Sequence, residues 1–138
     1  MISSAVVDSG PLLAAANRAD PDHSACIDLL SDPAHRIVIP SLCIAEVSFL
    51  LGRRQGPSVE ARFLRGLESF DVRSPSADDW PRIAALVDRY ADFPLGGVDA
   101  SVAVLADRLE TDLIITLDRR HFSALVSQTG ARYRLLPQ

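Results

Sequence analysis

Four acidic residues occupy positions that surface chemistry does not require. Asp8 closes the short apolar run Ala5-Val6-Val7 and is followed by the small, turn-prone pair Ser9-Gly10, while Asp118 closes Leu113-Ile114-Ile115-Thr116-Leu117. Read as buried strands of a parallel sheet, both runs deliver a carboxylate to the C-terminal edge, where open α/β sheets bind ligands. Asp99 opens the apolar stretch Ala100-Ser101-Val102-Ala103-Val104. Glu46 lies within Leu42 to Leu51, a helical stretch apolar on nearly all sides, where an unpaired buried carboxylate would be costly. Taken singly, Asp99 reads equally as a helix N-cap and Asp118 as a turn residue. Taken together, they describe a cluster that stays ionised only if cations compensate it. Oxygen donors without a His or Cys cluster select Mg²⁺ or Mn²⁺. Such ions activate water and neutralise charge on a phosphoryl group, so phosphodiester hydrolysis is the chemistry expected.

The elements that must position these acids alternate along the chain. Pro11 to Asn17 predicts a short first helix, and Asp20-Pro21 predicts the N-cap and first residue of a second, carrying Ala25, Cys26, Leu29 and Leu30 as its apolar stripe. Arg36 to Ile39 reads as a strand. Ser41 is expected to cap a helix running to about Gln55, with Gly56-Pro57 ending it, and Ser58 to about Ser69 forms another. Phe70 to Arg73 alternates as a short strand. Ser76 to Asp79 opens a helix bearing Trp80, Ile83, Leu86, Val87 and Tyr90, and Pro94 to Gly97 is a turn. Asp99 to about Glu110 is a helix, Leu113 to Leu117 the clearest strand, His121 to Leu125 a helical turn and Tyr133 to Leu136 a last strand. Strands separated by helical patterns imply βαβ units and a parallel sheet covered on both faces, hence an α/β fold.

At 138 residues, 48% hydrophobic and 23% charged, the chain fits one domain with its own core. No apolar run approaches the ~20 residues of a membrane span. The N-terminus lacks a basic n-region, arguing against a signal peptide. Cys26 and Cys43 both fall in apolar helical patterns and form no CxxC motif, which suits reduced core residues in a cytoplasmic protein and argues against zinc. A net charge of −4 would ordinarily weigh against a nucleic-acid partner, but bound cations lower the negative charge a polyanion meets. All 14 basic residues are Arg, the residue suited to bidentate phosphate contact, although genomic codon bias is the favoured explanation of Arg-only usage. The absence of Lys excludes a Walker A loop and Schiff-base catalysis.

In sequence order, Val6-Val7-Asp8-Ser9-Gly10-Pro11-Leu12-Leu13-Ala14, Pro40-Ser41 to Glu46-Val47, Val98-Asp99-Ala100-Ser101 and Thr116-Leu117-Asp118-Arg119-Arg120-His121-Phe122 resemble the ordered motifs of PIN-domain ribonucleases. The resemblance is closest to the VapC toxins of bacterial toxin–antitoxin pairs, of the mycobacterial type, and spans essentially the whole chain. It implies a single PIN domain over residues 1–138, a three-layer sandwich with a mainly parallel sheet. It further implies a Mg²⁺- or Mn²⁺-dependent endoribonuclease that cuts structured RNA such as tRNA or ribosomal RNA, forms a homodimer, and is neutralised by a VapB-type antitoxin. Carried over by position, Asp8 and Asp99 are the principal metal ligands and Glu46 and Asp118 complete the catalytic acids. Thr116 matches the family's hydroxyl near the site. Gly10 departs from the family, many members of which carry Ser or Asp there, leaving Ser9 as the nearby hydroxyl.

The remaining candidates have plainer readings. Arg119, Arg120 and His121 beside Asp118 could grip RNA phosphate, each Arg reading equally as a solvated turn residue, and Arg53 and Arg54 suit a helix C-terminus as well as RNA or antitoxin contact. His23, His35 and His121 are scattered and support no His-based triad. Trp80 and the Phe residues are expected in the core, and Asp78, Asp79, Asp88, Asp107 and Glu110 on solvated faces. A receiver-like phosphoryl-transfer protein is opposed by the missing Lys and the lack of a second acid beside Asp8. The alternative to a nuclease is a catalytically inactive PIN-like module that binds RNA or protein, against which stands the presence of all four acids.

Overall fold

The computed structural model describes residues 2–138. Its strands are β1 (Ser3–Val7), β2 (His35–Pro40), β3 (Asp71–Arg73), β4 (Leu113–Ile115) and β5 (Arg134–Leu136), and every neighbouring pair runs parallel in the order β3-β2-β1-β4-β5. The chain builds outward from β1 to β3 on one side, then returns to add β4 and β5 on the other. With right-handed crossovers, that reversal puts connecting helices on both faces, giving three layers. It also makes the gap between β1 and β4 the topological switch point, where a crevice opens beyond the strand ends.

Burial explains why the strands read as unbroken apolar runs. Ala5, Val6 and Val7 are 0% exposed, and Val6 pairs with both Val38 and Ile114. The helices are α1 (Ser9–Ala16), α2 (His23–Ser31), α3 (Ser41–Gln55), α4 (Pro57–Gly66), α5 (Asp79–Arg89), α6 (Gly97–Arg108) and α7 (Arg119–Ala124), with a 3₁₀ turn at Leu67–Ser69. In α6, Ala100 to Ala106 are all buried, so this helix is apolar all round and packs against β1, β2 and β4. Gly56, at φ 91°, separates α3 from α4, a left-handed backbone that glycine adopts without a Cβ clash.

Several expectations change. The cap of α2 is Asp22 rather than Asp20, whose side chain instead accepts from the Asp22 N–H at 2.8 Å in a local turn. Ser41 is the first residue of α3 and Pro40 its cap position. Trp80 is 50% exposed rather than core. Asp107, expected in solvent, accepts a 2.6 Å bond from the Tyr133 hydroxyl. Cys26 and Cys43 are buried and unpaired, as expected.

The largest departure is Asp79. It is buried, accepts from the Ser76 N–H at 2.9 Å and meets Arg108 Nη1 at 2.7 Å, tying α5 to the end of α6. Arg108→Ala leaves that carboxylate with one backbone donor and no counter-charge. A cost of about 2–4 kcal/mol is expected, the lower part of the range for a broken buried pair because Arg108 is itself partly exposed, read as a lower urea midpoint with an unchanged slope.

Candidate active site

The backbone of Asp8 is still held to the sheet, its N–H donating to the Ile115 carbonyl at 2.9 Å, while the chain turns into α1. Asp8 holds the N-cap position of that helix without making a side-chain cap bond, so its carboxylate is directed elsewhere. It accepts from Thr116 Oγ1 at 2.9 Å. Thr116 continues the line of β4, its N–H donating to the Leu136 carbonyl, and its hydroxyl also accepts from the Asp118 N–H at 2.9 Å. One buried hydroxyl therefore sets the carboxylate of one strand end and the backbone of the other.

Asp118 caps α7, and both its oxygens engage His121: Oδ1 accepts from the His121 N–H at 3.1 Å and Oδ2 lies 2.5 Å from Nδ1. Asp99 lies in the first turn of α6, where Gly96, not Asp99, is the cap. Its Oδ2 stands 3.9 Å from His121 Nδ1. Donor atoms of Asp99, Asp118 and His121 all lie within 4.8 Å of one another.

Burial and mutual repulsion act together on the acids of the cluster. Burial first, then the Asp118 and Glu46 charges, raise the Asp8 carboxyl against the Ser9 N–H and Thr116 bonds that lower it. Burial, then Asp8, Asp118 and Glu46, push Asp99 to about 6, with His121 opposing. Burial also acts to raise Asp118, but the His121 hydrogen bonds hold it below the usual carboxylate range. His121 is raised in turn, chiefly by Asp118. The Ser9 hydroxyl is buried without a hydrogen-bond partner of good geometry, beside the Cys43 thiol, which burial and Asp8 keep protonated. Buried acids, an unpartnered hydroxyl and a donor trio of this span suit a divalent cation.

The strand-end acids and Asp99 thus converge. Glu46 does not share their burial: it is exposed, because α3 buries the stripe Cys43, Val47 and Leu51 and turns Glu46 outward. Its charge reaches Asp8 and Asp99 from the open side. Arg119 is exposed and donates to the Pro137 carbonyl at 2.7 Å, and Arg120 lies 5.4 Å over the Phe93 ring. Gly10 sits against Leu117, 3.4 Å from where a Cβ would stand. Sequence reasoning placed His121 beside Asp118 only as a phosphate contact and missed its bond to that carboxylate. The signal was present in its spacing: an N-cap Asp and a His three residues on face each other across the first turn of a helix.

A family model described as the PIN domain matches residues 5–126. Ribonuclease VapC26 of Mycobacterium tuberculosis is 36% identical over 134 residues, covering 96% of this chain and 99% of the relative. Among solved structures, M. tuberculosis VapC20, described as a sarcin-ricin loop cleaving toxin, superposes with TM-score 0.74 at 19% identity, over 80% of this chain and 86% of that one. VapBC2 of Rickettsia felis bound to a promoter DNA fragment gives 0.69 at 15% identity, over 96% and 98%. A toxin–antitoxin complex of Klebsiella pneumoniae gives 0.65 at 21% identity, over 88% and 92%.

Proposed function

The chain belongs to the PIN domain family and, within it, to the VapC ribonuclease toxins, and from that premise we propose that it is a Mg²⁺- or Mn²⁺-dependent endoribonuclease that hydrolyses phosphodiester bonds in structured RNA, tRNA or ribosomal RNA. The observation that carries this reading is the meeting of Asp8, Asp118 and Asp99 at the β1–β4 switch point, in a site where burial and the neighbouring acids raise Asp8 and Asp99. The description of one fold neighbour as a sarcin-ricin loop cleaving toxin supports structured RNA as the substrate class.

Asp8 and Asp99 would hold the cation and Asp118 would complete its surroundings. A bound divalent ion supplies a more acidic water and neutralises charge on the phosphoryl oxygens. The protein's part is to hold donors still: Thr116 orients the Asp8 carboxylate, and the backbone N–H of residue 121 orients Asp118 as the cap of α7. Glu46, exposed and with its charge felt at Asp8 and Asp99, would position water or metal from the open side of the site. Arg120, over the Phe93 ring that also packs on His121, is the exposed guanidinium beside the site and suits phosphate, while Arg119, bonded to the Pro137 carbonyl, would reach RNA further from the acids. Thr116→Val keeps shape but removes both hydroxyl contacts, so kcat/KM is expected to fall about 10–100-fold with the fold intact by circular dichroism, the size of effect seen when groups that orient a metal ligand are lost.

The same reading takes residues 1–138 as a single PIN domain acting as a cytoplasmic homodimer and silenced by a VapB-type antitoxin. Fold neighbours that are toxin–antitoxin assemblies support such a partner. Among the described residues, no helix is long and apolar enough to cross a membrane. The deciding experiment is cleavage of structured RNA by the purified chain with Mg²⁺ or Mn²⁺, and its loss on adding EDTA. Cleavage that persists in EDTA overturns metal dependence. Expression toxicity relieved by co-expressing the adjacent small gene tests the antitoxin, and sequencing RNA 5′ ends after induction identifies the target.

A further inference from the structure

We propose that His121 supplies a nitrogen donor to the metal site of this chain, biasing it toward Mn²⁺ or a later transition ion over Mg²⁺; this deepens the metal-dependent reading above and rests on it. An all-carboxylate cluster gives no such bias, because oxygen donors suit Mg²⁺ and Mn²⁺ alike, whereas imidazole suits the transition ions.

The geometry places Nδ1 as a donor rather than a bystander. It stands 2.5 Å from Asp118 Oδ2 and 3.9 Å from Asp99 Oδ2. A six-coordinate ion with bonds of roughly 2.1 Å separates adjacent donors by about 3 Å and opposite ones by about 4 Å. The 3.9 Å separation falls close to the second value, while the 2.5 Å contact is a hydrogen bond shorter than the spacing of adjacent donors, so a cation among the three donors takes the place of that bond and spreads Nδ1 and Oδ2 by about 0.5 Å. The ring is already oriented. Its residue is fixed in the first turn of α7, and its ring packs edge-to-face with Phe93, centroids 5.1 Å apart at 80°. The other histidines are committed elsewhere: His23 bonds the Ala14 carbonyl at 2.9 Å, and His35 begins β2 at the far end of the sheet. Any imidazole nitrogen on the bound metal is therefore that of His121.

The test uses the purified full chain stripped of metal. Mn²⁺ and Mg²⁺ are titrated calorimetrically, and the Mn²⁺ complex is examined by pulsed electron paramagnetic resonance with and without isotope-labelled histidine. The wild-type complex is expected to show nitrogen hyperfine coupling that responds to the label. His121→Asn removes that coupling and weakens Mn²⁺ binding about tenfold or more, with Mg²⁺ affinity changing less than about threefold. A Mn²⁺ complex without nitrogen coupling overturns the donor role, whether or not the variant folds. Equal weakening of both ions also overturns the bias, since a His121 that merely positions Asp118 affects both alike. If neither ion binds the wild-type chain, the metal-dependent reading itself fails, an outcome distinct from metal binding without nitrogen.

Discussion

Asp8→Asn and Asp99→Asn are each expected to abolish RNA cleavage. Loss of a group that merely orients a metal ligand costs roughly 10–100-fold, so loss of the ligand should exceed about 100-fold in kcat/KM. Neither change alters side-chain shape, and Asn at position 8 still offers Thr116 an oxygen. The stability of the metal-free protein should move the other way. Asp99 rises from 3.8 to about 6 through burial and its acidic neighbours, so its ionised form is held at a cost near neutral pH. A tenfold change in a carboxyl's acidity on folding corresponds to about 1.4 kcal/mol, and after allowing for the partly open site a gain of about 2 kcal/mol is expected for Asp99→Asn. Activity assays and urea denaturation of the same preparations read both effects. Undiminished cleavage by either variant would sink the assigned roles. A destabilised metal-free Asp99→Asn would show that the acid is there for structure.

The second large effect is a stability that depends jointly on pH and metal. Asp99 has its pKa raised on folding, so the folded state binds more protons than the unfolded chain between 3.8 and about 6. Its favourable contribution is present below 3.8 and is lost as pH climbs through about 6. Asp8 shifts in the same direction and adds to this loss. His121 is raised too, so its contribution also fades as pH passes above its ordinary 6.5. Asp118 alone runs oppositely, its contribution present above 3.8 and lost toward acid. The metal-free protein should therefore melt at higher temperature near pH 5 than near pH 8 as far as this site decides. A divalent ion at 100 times its Kd adds about 2.7 kcal/mol where the acids are ionised and far less where they are protonated. Thermal melts at the two pH values, with EDTA and with Mn²⁺, test this. A metal effect as large at pH 5 as at pH 8 would contradict it.

What can be read from the chain is set by local rules. An apolar run ending on Asp8 and another ending near Asp118 predict strands that carry acids to one edge, and parallel β1 and β4 do so side by side. The end of α3 at Gln55 and Gly56 follows from Gly-Pro chemistry for the same reason. Expectation and structure part where the deciding partner is remote. Nothing near Asp79 in sequence hints at Arg108, which only the packing of α5 on α6 brings to 2.7 Å. Glu46 reads as a buried acid because its helix is apolar on several faces. Which face goes inward is settled by the sheet and by α6, and the choice leaves Phe49 61% exposed and Glu46 in the open.

The sequence by itself determined the α/β class, the residue types of the site and the strand ends that carry two of its acids, since each depends on periodicity and on neighbours a few residues away. Only the tertiary structure decided that β1 lies between β2 and β4, and that His121 joins Asp99 and Asp118 while Glu46 stays at the rim. Strand order and helix facing depend on burying apolar surface shared between distant segments, a quantity no single stretch of chain contains.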